Sequence, residues 1–394
     1  MTHKIILFLA FCLPGVGMLS GLAAAPMIGI MVFLLLFKYR SEVLWRNLLT
    51  ALLHRKAKPL HRGILLLLSF AFLSCFWSPR VLQSLWLWFQ VSCLILMLLL
   101  LTPIPNILQE IMPPMIAGMI FAIILFYIEY FTGGMITSGF REIFQNGRGE
   151  FALSKLDRGC SILSVYTWVV IWYLWTRSKP FAALLYTIVF ITLSLSDSTA
   201  GFVAFILASV TFVVLYITNM RIAHLVTIGL ISGIILMPIF AYKQDPLELS
   251  NNHLGQLISW QHRLFIWDFV AHKAAEKPIL GHGFDASRYL GENQSIDYKH
   301  YHLPLLPLHP HNNILQMWLE LGCVGLILFA FTIYGVVAEI KKNYFGASGP
   351  LALACFVNYF VIGMISFGVW QMWWVLAGSF AAYMAANLRY HRPL

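Results

Sequence analysis

Long apolar stretches constrain this chain more than any other feature of its sequence. Segments of about 20 predominantly apolar residues, each long enough to cross the hydrocarbon core of a bilayer, follow one another along the chain. Of the 394 residues, 60% are hydrophobic and 11% are charged, whereas about a quarter of the residues of a soluble domain are charged. The sequence therefore predicts an all-α polytopic membrane protein.

About twelve transmembrane helices are predicted from these segments. They lie at roughly 5–21, 22–37, 63–79, 84–101, 111–131, 159–175, 180–195, 198–217, 222–240, 313–336, 347–367 and 370–388. The first two are short, and Pro14 and Pro26 are expected to kink them. The chain is divided accordingly into residues 1–240 with helices one to nine, a long loop in 241–312, and residues 313–394 with helices ten to twelve.

The basic residues are distributed unequally between the two sides of this topology. One side receives 15 of the 26 Lys and Arg residues but only three of the 16 acidic residues. Such a surplus of positive charge in short connections marks the cytoplasmic side. The net charge of +10 is therefore interpreted as a topology signal and not as a nucleic-acid-binding surface. The long loop is predicted to face the periplasm or the exterior.

Polar residues are concentrated in one segment, 263–325, between the apolar stretches. Residues 241–312 contain eight of the thirteen histidines. A helix is predicted from Arg263 to Lys277, because apolar residues recur along one of its faces and Pro278 ends the pattern. We interpret this helix as amphipathic and as lying at the membrane interface.

His311, immediately before the tenth apolar segment, is the main candidate for chemistry. A histidine with an ordinary pKa titrates near neutral pH and can accept a proton from a hydroxyl group. His309 can point in the same direction if the chain is extended, and Asn312 can cap the following helix or orient an imidazole ring. A helix-capping or interfacial role for His311 is the simpler alternative. A metal site that also includes His300 and His302 is another.

Three arginines, Arg263, Arg288 and Arg158, lie on the outer side, against the positive-inside trend. The guanidinium group presents a rigid fork of donors that suits phosphate oxygens, although an interfacial arginine can also simply extend toward lipid headgroups. Because they share the side of His311, we expect an anionic ligand there, and a lipid-borne diphosphate fits best. Asp197 lies at a helix junction on the same side, where an N-cap residue is expected.

The spacing of His311 and two glycines resembles a known signature. His311-Asn312, nine residues, Gly322, two residues and Gly325 are similar to the pattern of the bacterial O-antigen ligase family. The wider string, from Arg263 through PILGHGFDASR to LPLHPHNNILQMWLELG, resembles the domain shared by O-antigen ligases, O-antigen polymerases and protein O-oligosaccharyltransferases. The specific motifs cover about residues 263–325, while the predicted topology resembles the family along the whole chain.

This resemblance implies a C-type membrane glycosyltransferase in the bacterial inner membrane with its active site toward the periplasm. It would transfer a glycan from undecaprenyl diphosphate to the outer core sugar of lipid A–core, with inversion and without a metal or other cofactor. By position, His311 would act on the acceptor hydroxyl, and Arg263 would contact the donor diphosphate. Arg158 and Arg288 would assist with the diphosphate. The supporting residues would be His309, Asn312 and Asp197.

One departure from the family concerns the start of a middle helix. Family members often have Ser-Arg-Thr/Ser-Ala there, whereas this chain has Ser198-Thr199-Ala200. Either another cation such as Arg158 supplies the charge, or the diphosphate is held differently.

Two alternative functions remain open at the level of sequence. A polymerase of the same family would use a second lipid-linked glycan as its acceptor. A lipid-linked oligosaccharide flippase is an alternative of another class, but such transporters often show repeated halves, and no repeat is evident here. Membrane lipids are expected partners in every case, and nucleic acid is not.

Overall fold

A computed structural model describes residues 2–38, 58–100, 107–139, 152–251, 258–292, 294–298 and 301–388. In these residues, twelve long helices occupy the positions of the twelve predicted apolar segments. The first nine are α1 (Thr2–Leu19), α2 (Ala24–Lys38), α3 (Pro59–Ser74), α4 (Val81–Leu100), α5 (Ile107–Thr132), α6 (Asp157–Trp175), α7 (Lys179–Leu195), α8 (Thr199–Ile217) and α9 (Ala223–Lys243). The remaining helices and strands are α10 (Pro246–Asn251), α11 (Ile258–Ala275), α12 (Ser287–Leu290), β1 (Ser295–Tyr298), β2 (Tyr301–Pro304), α13 (Asn313–Asn343), α14 (Ser348–Ile365) and α15 (Met372–Leu388).

The helices are those of a polytopic membrane protein. Among the described residues, eight helical segments are long and apolar enough to cross a membrane. They correspond to α1, α2, α3, α5, α8, α9, α13 and α14. Two shorter apolar helices are Val81–Met97, within α4, and Lys179–Leu195, which is α7. The number of twelve spans therefore stays a prediction.

Helix α6 is one of the twelve predicted spans that is not among these eight. Its residues from Gly159 to Tyr173 are all buried, and α1, α7, α14 and α15 pack around it. A helix enclosed by protein can carry polar groups that find partners on neighbouring helices. In α6, Ser164 Oγ accepts a hydrogen bond of 2.9 Å from Asn358 Nδ2 of α14. The helix is therefore central to the bundle although its sequence is less apolar than that of its neighbours.

Between α9 and α13, helix α11 packs against both of these helices. Helix α11 includes the predicted helix of 263–277 but begins earlier, at Ile258. Its residues Trp267, Val270 and Ala274 are buried in a cluster with Leu306 and residues of α13. The apolar face thus packs against protein, and the location of this helix at the membrane interface stays a prediction.

A short antiparallel hairpin was not predicted. Strands β1 and β2 pair in the register Ser295 with Pro304 and Tyr298 with Tyr301. Four-residue strands in a loop give too short an alternating pattern to be recognised in the sequence. The hairpin adds a small β element to an otherwise helical fold.

Helix α13 is interrupted near its N-terminal end. Gly322 has φ 62° and ψ −162°, so the helical hydrogen bonds are broken there, and the segment 278–283 pairs with the exposed main-chain groups. The main-chain N–H of His282 donates to Leu319 O at 2.9 Å. The N–H of Cys323 donates to Pro278 O at 2.8 Å. The PILGHG string and the Gly-x-x-Gly string of the sequence are therefore in direct contact.

Replacing Gly322 by alanine is expected to lower the free energy of unfolding by at least about 2 kcal/mol, because of backbone strain at positive φ and a steric clash. A Cβ at this position would lie 2.2 Å from Ile279 O. Thermal unfolding in detergent measures the change. Gly229→Ala is the matched control, because a Cβ at Gly229 in α9 would meet no atom within 4 Å. Equal stability of the two variants would contradict the expectation.

Candidate functional site

His311 lies in the connection that leads into α13, and its ring is half-buried. Its Nδ1 is 2.7 Å from the main-chain oxygen of Ser366. A carbonyl oxygen can only accept, so Nδ1 carries the proton of the neutral ring and Nε2 keeps a free lone pair. The backbone ahead of it is held by Trp267, whose Nε1 donates to Pro310 O at 3.0 Å. His311 is thus oriented with one acceptor nitrogen available.

Backbone strain marks the same region. Of the non-glycine residues that the structure describes, four have a positive φ, and Asp285 and His311 are two of them. Such conformations cost about 1–3 kcal/mol each and persist where surrounding contacts enforce them, often at functional sites. Asn312 supplies one such contact, because its Oδ1 accepts from the main-chain N–H groups of Ile314 and Leu315, both at 3.0 Å. The predicted capping role of Asn312 is confirmed.

His309 packs beside His311, with ring centroids 4.4 Å apart. The main-chain N–H of His311 donates to His309 Nδ1 at 3.2 Å. The other ring nitrogen of His309, Nε2, lies 2.7 Å from Nε2 of Gln371. Both histidines are therefore held from the connection between α14 and α15, which contains Ser366 and Gln371.

Both rings are neutral at pH 7. Burial lowers the pKa of His311 to about 4, with the positive charges of Arg263 and His262 adding to the effect and the hydrogen bond to Ser366 opposing it. Burial also lowers the pKa of His309 to about 3, and His311 and the arginines Arg288, Arg158 and Arg263 act in the same direction. A neutral His311 can accept a proton, as a general base must.

The positive charges of the three predicted arginines act on the histidine pair. Arg263, on α11, is half-buried, and its Cζ lies 5.1 Å from the ring centroid of Trp260. Arg158, in the first turn of α6, is exposed. Arg288, on α12, is exposed, and its Nε donates to Asp285 Oδ1 at 2.7 Å. All three positive charges act on His309, so the fold gathers them although they are as much as 130 positions apart in sequence.

Two carboxylates accompany these arginines. Asp157 precedes Arg158 and interacts electrostatically with Asp197, Arg263 and Arg158. Asp197 is exposed, and the N-cap of α8 is Ser198, whose side chain makes no capping hydrogen bond. The expected capping role at this junction is therefore wrong, and Asp197 instead adds a negative charge beside the arginines.

Several residues of the site escaped the sequence analysis. Ser366, Trp370 and Gln371 lie in the connection before α15, and Glu320 lies within α13. Each contacts a site residue that is distant in sequence, and none belongs to a pattern of polar residues. Glu320 and Gln371 had one signal, a carboxylate or amide in an apolar stretch, where polar groups are costly; Ser366 and Trp370 had none.

A metal site built on the histidines receives no support from the described residues. His302 is exposed, and its Nδ1 pairs with Asp297 Oδ1 at 2.6 Å. His300 lies outside the described residues. In the part of the chain that the structure describes, no group of three or more His, Cys, Asp and Glu side chains could hold a metal ion.

Comparison with known proteins identifies the family. The model of the O-antigen ligase family matches residues 181–330. The chain is 38% identical over 391 residues to a proposed polysaccharide ligase of Rickettsia typhi, with 95% of each chain covered. It is 37% identical to one of Rickettsia conorii, with 94% of each chain covered, and 36% identical to one of Rickettsia prowazekii, with 95% covered. The chain belongs to the O-antigen ligase family.

The family match and the site overlap only in part. The region that matches the O-antigen ligase model contains Arg263, Arg288, His311 and the glycine pair. Arg158 precedes that region, and the Ser366–Gln371 connection follows it. The similarity to the Rickettsia proteins extends over nearly the whole chain.

The pH dependence of activity in this family member is expected to follow the lowered pKa of His311. If transfer requires the neutral ring, protonation removes the acceptor nitrogen only as the pH approaches the pKa of about 4. The rate should therefore stay constant from neutral pH down to about pH 5 and fall below it. Initial rates across this range measure the profile, and assays after return to pH 7 separate protonation from unfolding. An acid limb centred at the ordinary histidine pKa would contradict this.

Proposed function

We propose that this multi-pass membrane protein is a C-type glycosyltransferase that joins a glycan from undecaprenyl diphosphate to the outer core sugar of lipid A–core. The reaction takes place at the periplasmic face of the bacterial inner membrane. The observation that supports it most directly is the neutral His311, held through Nδ1 by Ser366, beside His309, on which the charges of three arginines act. A proton acceptor beside gathered cations fits a hydroxyl nucleophile and a diphosphate leaving group.

The arginines bind and stabilise the donor diphosphate. A diphosphate is already a good leaving group, so the chemistry needs neither a nucleotide nor a covalent intermediate. As the bond between the anomeric carbon and the diphosphate oxygen breaks, negative charge grows on that oxygen. Fixed guanidinium groups stabilise this developing charge. Arg263 is the best placed of the three, because its charge acts on both His309 and His311.

His311 prepares the acceptor. Its free Nε2 accepts the proton of the acceptor hydroxyl as the hydroxyl oxygen forms a bond to the anomeric carbon. The electron pair of the breaking bond leaves with the diphosphate. Attack from the face opposite the leaving group inverts the anomeric centre. His309 and Asn312 hold the ring and the backbone of His311 in place, and the site uses no metal ion.

Arg158 replaces the arginine that the family often has near position 199. Ser198 Oγ is within 3.5 Å of the main-chain oxygen of Asp157, so the start of α8 adjoins the first turn of α6. The next residue, Arg158, therefore lies near the start of α8 and can supply a positive charge there. The carboxylates of Asp157 and Asp197 limit the excess positive charge there when no donor is bound.

Transfer by the purified full-length protein in detergent tests this function. The mixture contains undecaprenyl-diphosphate-linked glycan and lipid A–core, and it has no membrane barrier. We expect glycan-capped lipid A–core as the product. A flippase would yield no product, because transport without a membrane leaves both substrates unchanged. Product formed on a second lipid-linked glycan, instead of on lipid A–core, would identify a polymerase and overturn the acceptor assignment.

A further inference from the structure

A buried carboxylate in α13 lies between the arginine-bearing and histidine-supporting parts of the site. Glu320 is 0% exposed, and both of its side-chain oxygens accept hydrogen bonds. Oε2 accepts from Asp285 N at 2.9 Å and from Trp370 Nε1 at 2.7 Å. Oε1 accepts from Gln316 Nε2 at 3.0 Å and from Ser287 N at 3.4 Å. A buried carboxylate is costly unless its oxygens are satisfied in this way.

The contact of Glu320 with Asp285 fixes the loop that presents Arg288. Asp285 has φ 61°, a conformation that non-glycine residues adopt only when other contacts enforce it. The hydrogen bond from Asp285 N to Glu320 is such a contact. The side chain of Asp285 then accepts from Arg288 Nε at 2.7 Å. Glu320 therefore determines the position of Arg288 through Asp285, without touching the guanidinium group itself.

The contacts of Glu320 with Trp370 and Gln316 fix the connection between α14 and α15. Trp370 donates directly to Glu320. Gln316, held by the other oxygen of Glu320, accepts at its Oε1 from Val369 N at 2.9 Å. Two adjacent residues of this connection, Val369 and Trp370, are thus hydrogen-bonded to side chains of α13.

The same connection holds the histidines. Ser366 O contacts His311 Nδ1, and the Gln371 amide contacts His309 Nε2. At Gly368 the chain passes so close that a Cβ would lie 3.0 Å from Cγ of His309. A displacement of the connection would therefore move the partners of both rings.

Glu129 provides a comparison, because it is also a carboxylate with 0% exposure. Its oxygens accept from the main-chain N–H groups of Ile136 and Thr137 and from the Thr137 hydroxyl. These partners follow Glu129 directly in sequence, and none of them contacts the arginines or histidines of the site. A buried carboxylate with a local structural role therefore looks different from Glu320.

We propose that Glu320 is a positioning residue that couples Arg288 to the supports of His309 and His311, so that the donor-binding cation and the proton acceptor keep a fixed relation. The proposal rests on the proposed function, in which Arg288 binds the donor diphosphate. Glu320 touches neither substrate. Its effect on donor binding passes through Asp285 and Arg288.

Binding of undecaprenyl diphosphate to the full-length protein in detergent tests this role in a double-mutant cycle. Glu320→Gln places an amide N–H₂ group against hydrogen-bond donors and is expected to weaken binding about tenfold, as is Arg288→Ala. Because both changes remove the same interaction, the double variant should also bind about tenfold more weakly, and not about a hundredfold. Glu129→Gln is the matched control and should leave binding unchanged, alone or combined with Arg288→Ala.

The outcomes separate the two proposals. No binding by the unaltered protein would overturn the donor assignment, and the role of Glu320 with it. Binding by the unaltered protein with equal binding by Glu320→Gln, or fully additive losses in the cycle, would overturn the role of Glu320 alone. Asp285→Asn, which keeps the carboxylate of Glu320, should weaken binding like Glu320→Gln. If it binds normally while Glu320→Gln loses binding together with thermal stability, Glu320 is only structural.

Discussion

Replacing His311 by alanine is expected to reduce the rate of glycan transfer by about 10²–10⁴-fold, the usual contribution of a general base. The imidazole of His311 is neutral at pH 7, is oriented by Ser366 and has its Nε2 lone pair free to accept a proton. Alanine removes the proton acceptor but leaves the three arginines, so donor binding should be nearly unchanged. Measuring the rate constant for transfer and the affinity for undecaprenyl diphosphate separates the two effects.

His282→Ala is the matched control for that experiment. His282 is also a loop histidine, and its Nε2 lies 2.8 Å from the main-chain oxygen of Lys273. Its removal costs a similar hydrogen bond outside the site. Unchanged transfer by His311→Ala, or equal losses in both variants, would show that His311 is not the proton acceptor.

Replacing Arg263 by alanine is expected to reduce kcat/KM by about 10²–10³-fold, as the loss of one group that stabilises developing negative charge typically does. Arg263 is half-buried, and its charge reaches both histidines, so solvent screens it less than Arg158 or Arg288. Lysine should restore only part of the activity, because an ammonium group cannot present the planar fork of donors. Steady-state kinetics with varied donor measures the loss.

Arg177→Ala is the control for the arginine. Its guanidinium carbon lies 3.7 Å from the ring centroid of Tyr173, an aromatic contact similar to that of Arg263 with Trp260, but at the end of α6 away from Asp157. Transfer should be unaffected by this change. A small effect of Arg263→Ala, comparable to that of Arg177→Ala, would contradict the role of Arg263 at the diphosphate.

Much of the helical architecture was predictable because apolar length is a local property. Each of the twelve predicted segments contains a helix of the structure, since a run of apolar residues in a membrane protein must satisfy its own main-chain hydrogen bonds. The helix in 263–277 was also predictable from local features, the spacing of its apolar residues and Pro278 at its end. The protein residues that cover its apolar face could not be predicted, because an apolar face is the same in sequence whatever covers it.

The candidate site was predictable to the extent that its residues form local patterns. His309, His311 and Asn312 are adjacent, and the glycine spacing that follows them drew attention to α13. The arginines were selected because they stood on the unexpected side of the membrane. Asp197 was included for a capping role that the structure does not bear out. Gln371, Ser366 and Glu320 could not be found, because their partners lie far away in sequence.

Composition, period and short motifs were enough to predict the class of the protein, the positions of its helices and its family, and they selected the candidate residues for chemistry. Contacts between distant segments were needed to show that Gly322 breaks α13, that PILGHG pairs with the break, and that one buried glutamate contacts both sides of the site. The reason is physical. A positive φ and a buried carboxylate are each unfavourable alone, and contacts from distant segments make them stable.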